Sequence, residues 1–244
     1  MRLIKRSRNR IGNYIAGFPR HFNFDKKELI DFVFSSCEPV PASFADLGGI
    51  WNVDGAYTFY TLRQYAVKHA FLIDTDFTDL SISEGQLMDN LKFIHGNFGE
   101  ESVAEQIGKV DAVFLFDVLL HQVNPDWNDI IKLYSQYTDY FIVFNPQWTG
   151  SEDTIRLLDL GRDEYFNNVP HNKLHPAYKT LFDKMYEINP QHQRIWRDIH
   201  NVWQWGITDC DLIKNMENLE YEMRRSMNYG RWANLPNFEN HAFV

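Results

Sequence analysis

The sequence has 244 residues, of which 44% are hydrophobic and 23% are charged, and its formal net charge is -9 at pH 7. This length and composition fit one large α/β domain, or one domain with an appended cap, and exclude a chain too polar to bury a core. The negative charge argues against nucleic acid as a partner, because an acidic surface repels phosphate groups. One basic stretch near the start is expected to be a solvated tail, and it holds Arg2, Lys5, Arg6, Arg8 and Arg10.

Two further features predict where the protein works. Cys37 and Cys210 are the only cysteines, too few for a disulfide framework or a cysteine zinc site, so a reducing compartment is the simplest interpretation. No apolar run reaches membrane-spanning length, and Asn9 and Arg10 interrupt the apolar block that a secretion signal needs. We therefore expect a cytoplasmic protein without a membrane partner.

From about residue 43 the chain alternates short apolar runs with helical patterns, which is typical of parallel strands joined by crossover helices. The five predicted strands are Ser43 to Leu47, Ala70 to Ile73, Leu91 to His95, Asp111 to Phe116 and Tyr140 to Phe144. The fourth is an almost continuous apolar run, as expected of a strand buried on both faces.

Helices are predicted between these strands. The first is expected to bury a face made by Ala56, Phe59, Leu62 and Ala66, which recur at spacings of three and four. A second is predicted from Glu100 to Ile107. A third is expected to begin at Pro125, since a first helical turn tolerates proline, and to bury Ile130, Ile131 and Tyr134.

The rhythm breaks at residues 151–206, which are rich in aromatic residues and divided by prolines. We interpret this stretch as a helical lid inserted after the fifth strand and covering the carboxyl ends of the strands. Thr208 followed by Asp211 predicts a helix start in which the hydroxyl caps the helix and the acid reaches back. Glu220 to Ser226 and Phe238 to Val244 are predicted as two final strands, paired antiparallel and joined through Asn228-Tyr229-Gly230.

The segment Phe44-Ala45-Asp46-Leu47-Gly48-Gly49 carries a resemblance to a known family. It is similar to the first motif of class I S-adenosylmethionine-dependent methyltransferases, an acidic residue two positions before a glycine at the end of the first strand. Glycine lets the backbone approach a ligand, and the following helix offers its positive end to a carboxylate. The further glycines of the family pattern are replaced here by Ile50 and Asn52.

The resemblance covers about residues 43–149 and 208–244, and it implies both a fold and a cofactor. The implied fold is an α/β, Rossmann-like seven-stranded mixed sheet with helices on both faces and the last strand antiparallel. The chain would form one domain, with an N-terminal helical cap at 1–42, a cofactor-binding sheet at 43–150 and 207–244, and the lid at 151–206. The implied cofactor is S-adenosylmethionine, and no metal is expected.

The same resemblance implies roles for residues at the strand ends. The motif residues Asp46, Gly48 and Gly49 would line the cofactor, and Asp74, twenty-eight positions after Asp46, would accept hydrogen bonds from the ribose hydroxyls. The remaining implied cofactor contacts are Thr75 beside Asp74, Asn97 on the adenine amino group, Phe98 on the adenine face, and Asp117 and Val118 beside the methionine part. Three alternatives are left open: Asp76 in place of Asp74 if the strand ends two residues later, helix capping by these acids, and a simple turn at Gly96-Asn97.

Methyl transfer needs a base only where the acceptor must lose a proton, and His121 is the candidate general base because histidine titrates near neutral pH. Its alternative role is to cap the following helix. Gln147, Trp148 and Trp203 are the candidate substrate-binding residues, with a packed core indole as the alternative for Trp148. His171 and His175 stand at ligand spacing, but no acidic third ligand is in register, so no zinc site is predicted.

The sequence therefore predicts an S-adenosylmethionine-dependent methyltransferase acting on a small molecule at oxygen or nitrogen, with a homodimer left open. The missing glycines at Ile50 and Asn52 motivate an alternative, a methyltransferase-like binding or regulatory subunit without catalysis. RNA methylation would need the basic start to bind the nucleic acid. A nicotinamide oxidoreductase would need a Gly-x-Gly-x-x-Gly loop, which this chain lacks.

Overall fold

A computed structural model describes residues 14–15, 18–19, 21–170, 178 and 180–244. The predictions made for the basic stretch near the start and for His171 and His175 lie outside the described residues. None of the described helices is long and apolar enough to cross a membrane.

The centre of the fold is a seven-stranded mixed sheet. Its strands are β1 (Ser43–Leu47), β2 (His69–Asp74), β3 (Leu91–His95), β4 (Val110–Phe116), β5 (Thr138–Trp148), β6 (Ser226–Arg231) and β7 (Phe238–Phe243), in the sheet order β6-β7-β5-β4-β1-β2-β3. Strand β1 pairs in parallel with β2 and β4, whereas β7 is antiparallel to β5 and β6. The predicted Rossmann-like mixed sheet with an antiparallel last strand is confirmed.

Seven α-helices lie wholly within the described part of the chain. They are α1 (Phe24–Ser36), α2 (Ala56–Gln64), α3 (Asp79–Gly85), α4 (Glu101–Ile107), α5 (Trp127–Ser135), α6 (Arg162–Asn168) and α7 (Asp209–Asn218). Short 3-10 turns lie at Leu119–His121, Leu157–Leu160 and Trp196–Asp198. The Thr208 hydroxyl caps α7 by accepting the Asp211 N–H, as predicted, whereas the Asp211 carboxylate accepts the N–H of Thr154 at 2.8 Å.

The chain divides into two compact units, of which the first comprises the described residues up to Phe114 together with Thr138–Ile142. Its core holds the stacked rings of Phe44 and Phe114, whose centroids lie 4.6 Å apart. Helix α1 is fastened to the region of α2 through Asp31, whose carboxylate accepts hydrogen bonds from the hydroxyls of Tyr60 and Tyr65 at 2.5 and 2.7 Å.

The second unit comprises Leu115–Tyr137 and the described residues from Val143 to Val244. Its core contains three large aromatic side chains in edge-to-face contact, with the Phe238 ring 5.1 Å from Trp148 and 5.0 Å from Trp203. Phe238 is fully buried and Tyr165 joins the same cluster. Residues 151–206 contribute to this core, but their described part holds only α6 as a complete α-helix, with two two-residue strand pairs and two 3-10 turns.

The prediction that β5 ends at Phe144 is wrong, because the strand continues to Trp148. Proline is tolerated at Pro146 because one side of β5 has no ladder partner there. The Phe144 carbonyl accepts the N–H of Asp117 just past the end of β4, and the Trp148 N–H on that same side donates to Ile207. The nitrogen of Pro146 lies between the Phe144 carbonyl and the Trp148 N–H on this side of β5, where no neighbouring strand needs a hydrogen-bond donor.

The prediction for the sixth strand was also wrong. It begins at Ser226 rather than ending there, and Asn228-Tyr229-Gly230 lies inside the strand, so the connection to β7 is formed by residues 232–237. The strand is polar and lies at the sheet edge, so it lacks the apolar run that identifies a buried strand.

Two helix predictions need correction. Helix α2 buries Tyr57, Thr58, Phe59 and Thr61, whereas Ala66 lies beyond its end and is exposed. The threonines are tolerated inside because their hydroxyls donate to the Asp46 carboxylate and the Tyr57 carbonyl. Pro125 does not begin a helix, since α5 starts at Trp127 with Asp126 as its N-cap residue.

Candidate functional site

In the first unit, the loop after β1 is built around the buried carboxylate of Asp46. This side chain is 1% exposed and accepts a hydrogen bond of 2.7 Å from the Thr58 hydroxyl. A Cβ on Gly49 would lie 2.5 Å from Asp46 Oδ2, so only glycine fits without displacing the carboxylate. Gly48 has a φ of 74°, a conformation that glycine adopts without strain. The acid and both glycines of the motif are therefore needed by the local geometry of the loop.

The loop continues in left-handed backbone where the family pattern has further glycines. Asn52 and Asp54 have φ values of 60° and 52°, and Gly55 has a φ of 80°. Asn and Asp are the non-glycine residues that best tolerate this region. The replacement at Asn52 therefore keeps a backbone conformation of the kind that glycine favours.

Asp74 connects the end of β2 to this loop. Its Oδ2 accepts the N–H of Ile50 at 3.1 Å, and its Oδ1 accepts the N–H of Thr75 at 2.7 Å. The Gly48 N–H donates to the Ile73 carbonyl at 2.8 Å. The glycine loop and the predicted ribose-binding acid therefore lie side by side in the first unit.

The two acids of this half-site differ in burial. Burial raises the pKa of Asp46 to about 6, with the Thr58 hydrogen bond and the positive charge of Lys26 acting in the opposite direction. Burial also raises the pKa of Asp74, which is opposed by backbone N–H groups of Ile50 and Thr75. Asp74 is half-buried and can present its remaining lone pairs to a ligand, whereas Asp46 cannot.

The turn after β3 carries Asn97 and Phe98. The Asn97 Oδ1 accepts the N–H of Gly99 at 2.9 Å, and the Gly96 N–H donates to the Asp74 carbonyl at 3.0 Å. Asn97 thus stabilises its own turn, and a second lone pair on the same oxygen is the one available for another donor. Phe98 is buried, and Thr75 is exposed beside Asp74.

In the second unit, β4 is followed by a tight turn. Asp117 has a φ of 57°, in the left-handed region, and its N–H donates to the Phe144 carbonyl at 2.8 Å. A non-glycine residue in this region is uncommon and is often associated with a functional turn. Val118 is buried, and the 3-10 turn Leu119–His121 follows directly.

His121 is held in one orientation and one tautomer. Its Nδ1 lies 2.9 Å from the Val202 carbonyl oxygen, which can only accept, so Nδ1 carries the proton and Nε2 keeps its lone pair. Burial lowers the pKa of His121, against the hydrogen bond to Val202 and the charge of Asp117. The imidazole is therefore neutral near pH 7 and carries a basic nitrogen at Nε2.

The Val202 carbonyl belongs to a segment that is held in place by Gln204, a completely buried residue. The Gln204 backbone N–H donates to Leu120 at 2.9 Å, and its side chain accepts from Arg156 Nε at 3.0 Å and donates to the Ile199 carbonyl at 2.6 Å. Arg156 also contacts Asp198 at 2.9 Å. No sequence signal identifies Arg156 and Gln204, because their partners are distant along the chain. Arg156 is separated from Asp198 by 42 residues and from Gln204 by 48, and Gln204 is separated from Leu120 by 84.

The three candidate substrate-binding residues are all nearly inaccessible. Trp148 and Trp203 are each 6% exposed and pack on Phe238, and the Trp148 indole N–H donates to Ser151 Oγ at 2.7 Å. These contacts match the alternative interpretation of a packed core indole. Gln147 is 1% exposed, and neither its amide nitrogen nor its amide oxygen has a hydrogen-bond partner among the described residues. Within those residues, no group of three or more His, Cys, Asp or Glu could hold a metal ion.

No protein-family model and no curated protein sequence matches this chain. Solved structures resemble it at low identity. The N-terminal domain of EvdMO1, solved in the presence of S-adenosylhomocysteine and D-fucose, has a TM-score of 0.56 and 11% identity over 100% of this chain and 97% of its own. A 1,6-didemethyltoxoflavin-N1-methyltransferase from Burkholderia thailandensis has a TM-score of 0.54 and 12% identity over 89% of this chain and 77% of its own.

A third similar structure is the magnesium protoporphyrin IX methyltransferase of Synechocystis PCC 6803 with bound S-adenosylmethionine. Its TM-score is 0.52, and its identity is 11% over 90% of this chain and 78% of its own. Similarity at this identity concerns the fold, and the strand order of the present sheet agrees with it. The chain has the fold of class I S-adenosylmethionine-dependent methyltransferases.

Proposed function

We propose that this protein is an S-adenosylmethionine-dependent methyltransferase acting on a small molecule at oxygen or nitrogen. The single observation that carries the proposal is the contact between Asp74 and the glycine loop, in which the Ile50 N–H donates to the carboxylate at 3.1 Å. This contact joins, in the first unit, a loop suited to close backbone approach with a half-buried acid suited to two ribose hydroxyls. The methyltransferases named above, which share the fold, support the same cofactor.

In this proposal the first unit binds the nucleoside. Asp74 accepts the ribose hydroxyls, Thr75 lies beside it, and Asp46 supports the loop of Gly48 and Gly49 from beneath. Asn97 contributes its remaining lone pair to the adenine amino group, and Phe98 contributes apolar surface.

The cofactor supplies a methyl group already activated by its sulfonium, so the protein chiefly positions the reactants and excludes water. Nε2 of His121 would accept the proton that the acceptor hydroxyl or amine loses when it takes the methyl group. The hydrogen bond from Nδ1 to Val202 stabilises the tautomer that can take this proton.

Calorimetric titration with S-adenosylhomocysteine tests the proposal. Asp74→Ala removes charge-assisted hydrogen bonds worth about 1.5–3 kcal/mol each, so affinity should fall by at least about tenfold. The matched control is Asp76→Ala, which removes an exposed acid two positions further on and should leave the affinity unchanged. If the wild-type protein fails to bind the ligand, the cofactor assignment is wrong. If Asp76→Ala alone weakens binding, the ribose-binding acid is Asp76.

A further inference from the structure

We propose that three buried amide side chains of the second unit, those of Gln122, Asn145 and Gln147, form an acceptor-binding subsite that selects ligands rich in hydrogen-bond donors. This set is called the amide cluster below. The inference rests on the proposed function, because it assigns the methyl acceptor to the amide cluster.

Asn145 and Gln147 lie on the same face of β5, since they are two residues apart on one strand. Asn145 is completely buried and Gln147 is 1% exposed. The Asn145 Oδ1 and both polar atoms of the Gln147 amide have no hydrogen-bond partner among the described residues. Both residues lie at the carboxyl end of β5, where ligands bind in open α/β sheets.

Gln122 is brought to the same region by the extended segment that ends at Ile207. The Trp205 indole N–H donates to the Gln122 carbonyl at 2.6 Å, and the Trp148 N–H donates to the Ile207 carbonyl at 2.7 Å. The segment 205–207 therefore contacts both the backbone of Gln122 and the end of β5 that carries Gln147, and on this link the proposal assigns the Gln122 side chain to the same subsite. Gln122 is 5% exposed, and its Oε1 likewise has no partner in the described part of the chain.

Gln204 and Asn168 are buried amides of the same unit whose side chains are hydrogen-bonded at both the oxygen and the nitrogen, as expected of amides with a structural role. The Gln204 side chain is bonded at both ends, to Arg156 and Ile199. The Asn168 side chain donates to Glu164 and accepts from Asn237, each at 2.8 Å. A buried polar group left unpaired costs free energy comparable to a lost hydrogen bond, so the incompletely paired amides at the end of β5 and at Gln122 indicate a place where a ligand supplies the partners.

The unpaired atoms define the ligand chemistry. Three are carbonyl-type oxygens, Gln122 Oε1, Asn145 Oδ1 and Gln147 Oε1, and one is the Gln147 amide nitrogen. Oxygens accept, so a matching ligand carries several hydroxyl or amino donors and one acceptor atom for the Gln147 N–H. A carboxylate or phosphate would bring further acceptors against buried oxygens, so anionic ligands should be excluded. The acceptor class is therefore a neutral or cationic polyol or amine.

The first experiment compares the thermal stability of two leucine variants of buried glutamines. Gln147→Leu replaces an unpaired amide with an apolar group of similar size and should leave Tm unchanged or raise it. Gln204→Leu breaks a fully bonded amide and leaves Arg156 without one partner, so Tm should fall by about 4 °C or more. A fall of similar size in Gln147→Leu would overturn the inference, because it would mean that Gln147 is a structural amide.

The second experiment measures ligand binding by saturation-transfer NMR on protein saturated with S-adenosylhomocysteine. The probes are D-galactose, D-galactosamine and D-galacturonate, which share a ring and differ in charge. We expect signals from the neutral and cationic probes, a loss of at least about fivefold in Gln147→Leu, and no signal from the anionic probe. A stronger response to D-galacturonate, or equal responses of wild type and Gln147→Leu to all three probes, would overturn the inference.

These outcomes are separable from failure of the proposed function. Binding of S-adenosylhomocysteine to the wild type and to Gln147→Leu is measured first, and it should be equal because Gln147 is not among the proposed cofactor contacts. Absence of that binding in the wild type contradicts the cofactor assignment. Normal binding together with an insensitive probe response contradicts the amide cluster alone.

Discussion

The side chain of His121 combines a fixed tautomer with a pKa lowered by burial, and these two properties decide how it should act. If Nε2 is the general base, turnover falls as the pH drops through a pKa below 6.5, since protonation removes the lone pair. His121→Asn is the informative variant, because its amide N–H can replace Nδ1–H toward Val202 while no base remains. We expect unchanged affinity for S-adenosylhomocysteine, a rate lower by about 10²–10⁴-fold, and loss of the acidic limb of the pH–rate profile.

A His121→Asn enzyme that retained the wild-type rate would assign His121 to structure alone, as in the helix-capping alternative. The control is His69→Asn, since His69 is exposed and lies at the start of β2. That variant should keep both the rate and its pH profile.

The ionised side chain of Asp46 lowers the free energy of unfolding at neutral pH. Because burial raises its pKa to about 6, above the ordinary value of 3.8, the folded state holds its proton more tightly than the unfolded chain. The stability that this provides is present below about pH 4 and is lost as the pH rises through about 6. Asp46→Asn should therefore increase the free energy of unfolding at pH 7.5 by on the order of 1–3 kcal/mol, and by little at pH 4.

Urea unfolding at the two pH values measures this difference. Equal effects at pH 4 and pH 7.5 would mean that the charge of Asp46 does not oppose folding. Thr58→Val is the companion variant, because it removes the hydroxyl that donates to the ionised form and should destabilise the protein more at pH 7.5 than at pH 4.

At the level of elements, the strands of the first unit and the last strand, β7, followed from the sequence, whereas the end of β5 and the position of β6 did not. β1 and β3 have the predicted boundaries because their apolar runs are closed by Gly48-Gly49 and Gly96. The predicted end of β5 falls short because Asn145-Pro146 is locally typical of a turn. The strand continues because β7 pairs with it on one side, while β4 has already ended on the other side, so the missing N–H of Pro146 leaves no strand without a donor. Such partners are distant in sequence and leave no local pattern.

The candidate site divides in the same way. The positions of Asp46, Gly48 and Asp74 were predictable, because strand ends on one edge of a parallel sheet come together. The segment that holds His121 was not predictable, because Arg156 and Gln204 stabilise it only through contacts with residues distant in the sequence. The buried threonines of α2 were missed for a similar reason, as hydroxyl burial depends on the partner and not on periodicity.

The Arg156 network makes a prediction at this scale. Arg156 uses two nitrogens toward Gln204, the Arg197 carbonyl and Asp198, a fork that lysine cannot reproduce. Arg156→Lys should therefore increase amide hydrogen exchange in residues 197–205 by at least about tenfold and slow methyl transfer, with cofactor affinity retained. Arg162→Lys, which alters an exposed pair with Asp183, is the control. Unchanged exchange in Arg156→Lys would contradict this positioning role.

At the scale of the whole molecule, the pH dependence of stability has opposing contributions. Burial lowers the pKa values of His121 and His200, so the stability linked to them is present above the ordinary value of 6.5 and is lost as the pH falls through their lowered values. The pKa of His241 is shifted in the opposite direction. Burial lowers its pKa, but hydrogen bonds and charges from Asp209 and Glu239 outweigh burial and raise it overall.

His241 should therefore stabilise the protein most at mildly acidic pH. Its Nδ1 lies 2.6 Å from Asp209 at the start of α7 and its Nε2 lies 3.3 Å from Glu239 on β7, so the protonated ring links helix and strand. This stability is complete below pH 6.5 and is lost as the pH rises through the raised pKa. His241→Gln should consequently lower the free energy of unfolding more at pH 6 than at pH 9, as measured by urea titration, whereas an equal loss at both values would mean that the ring stabilises the fold only as a neutral group.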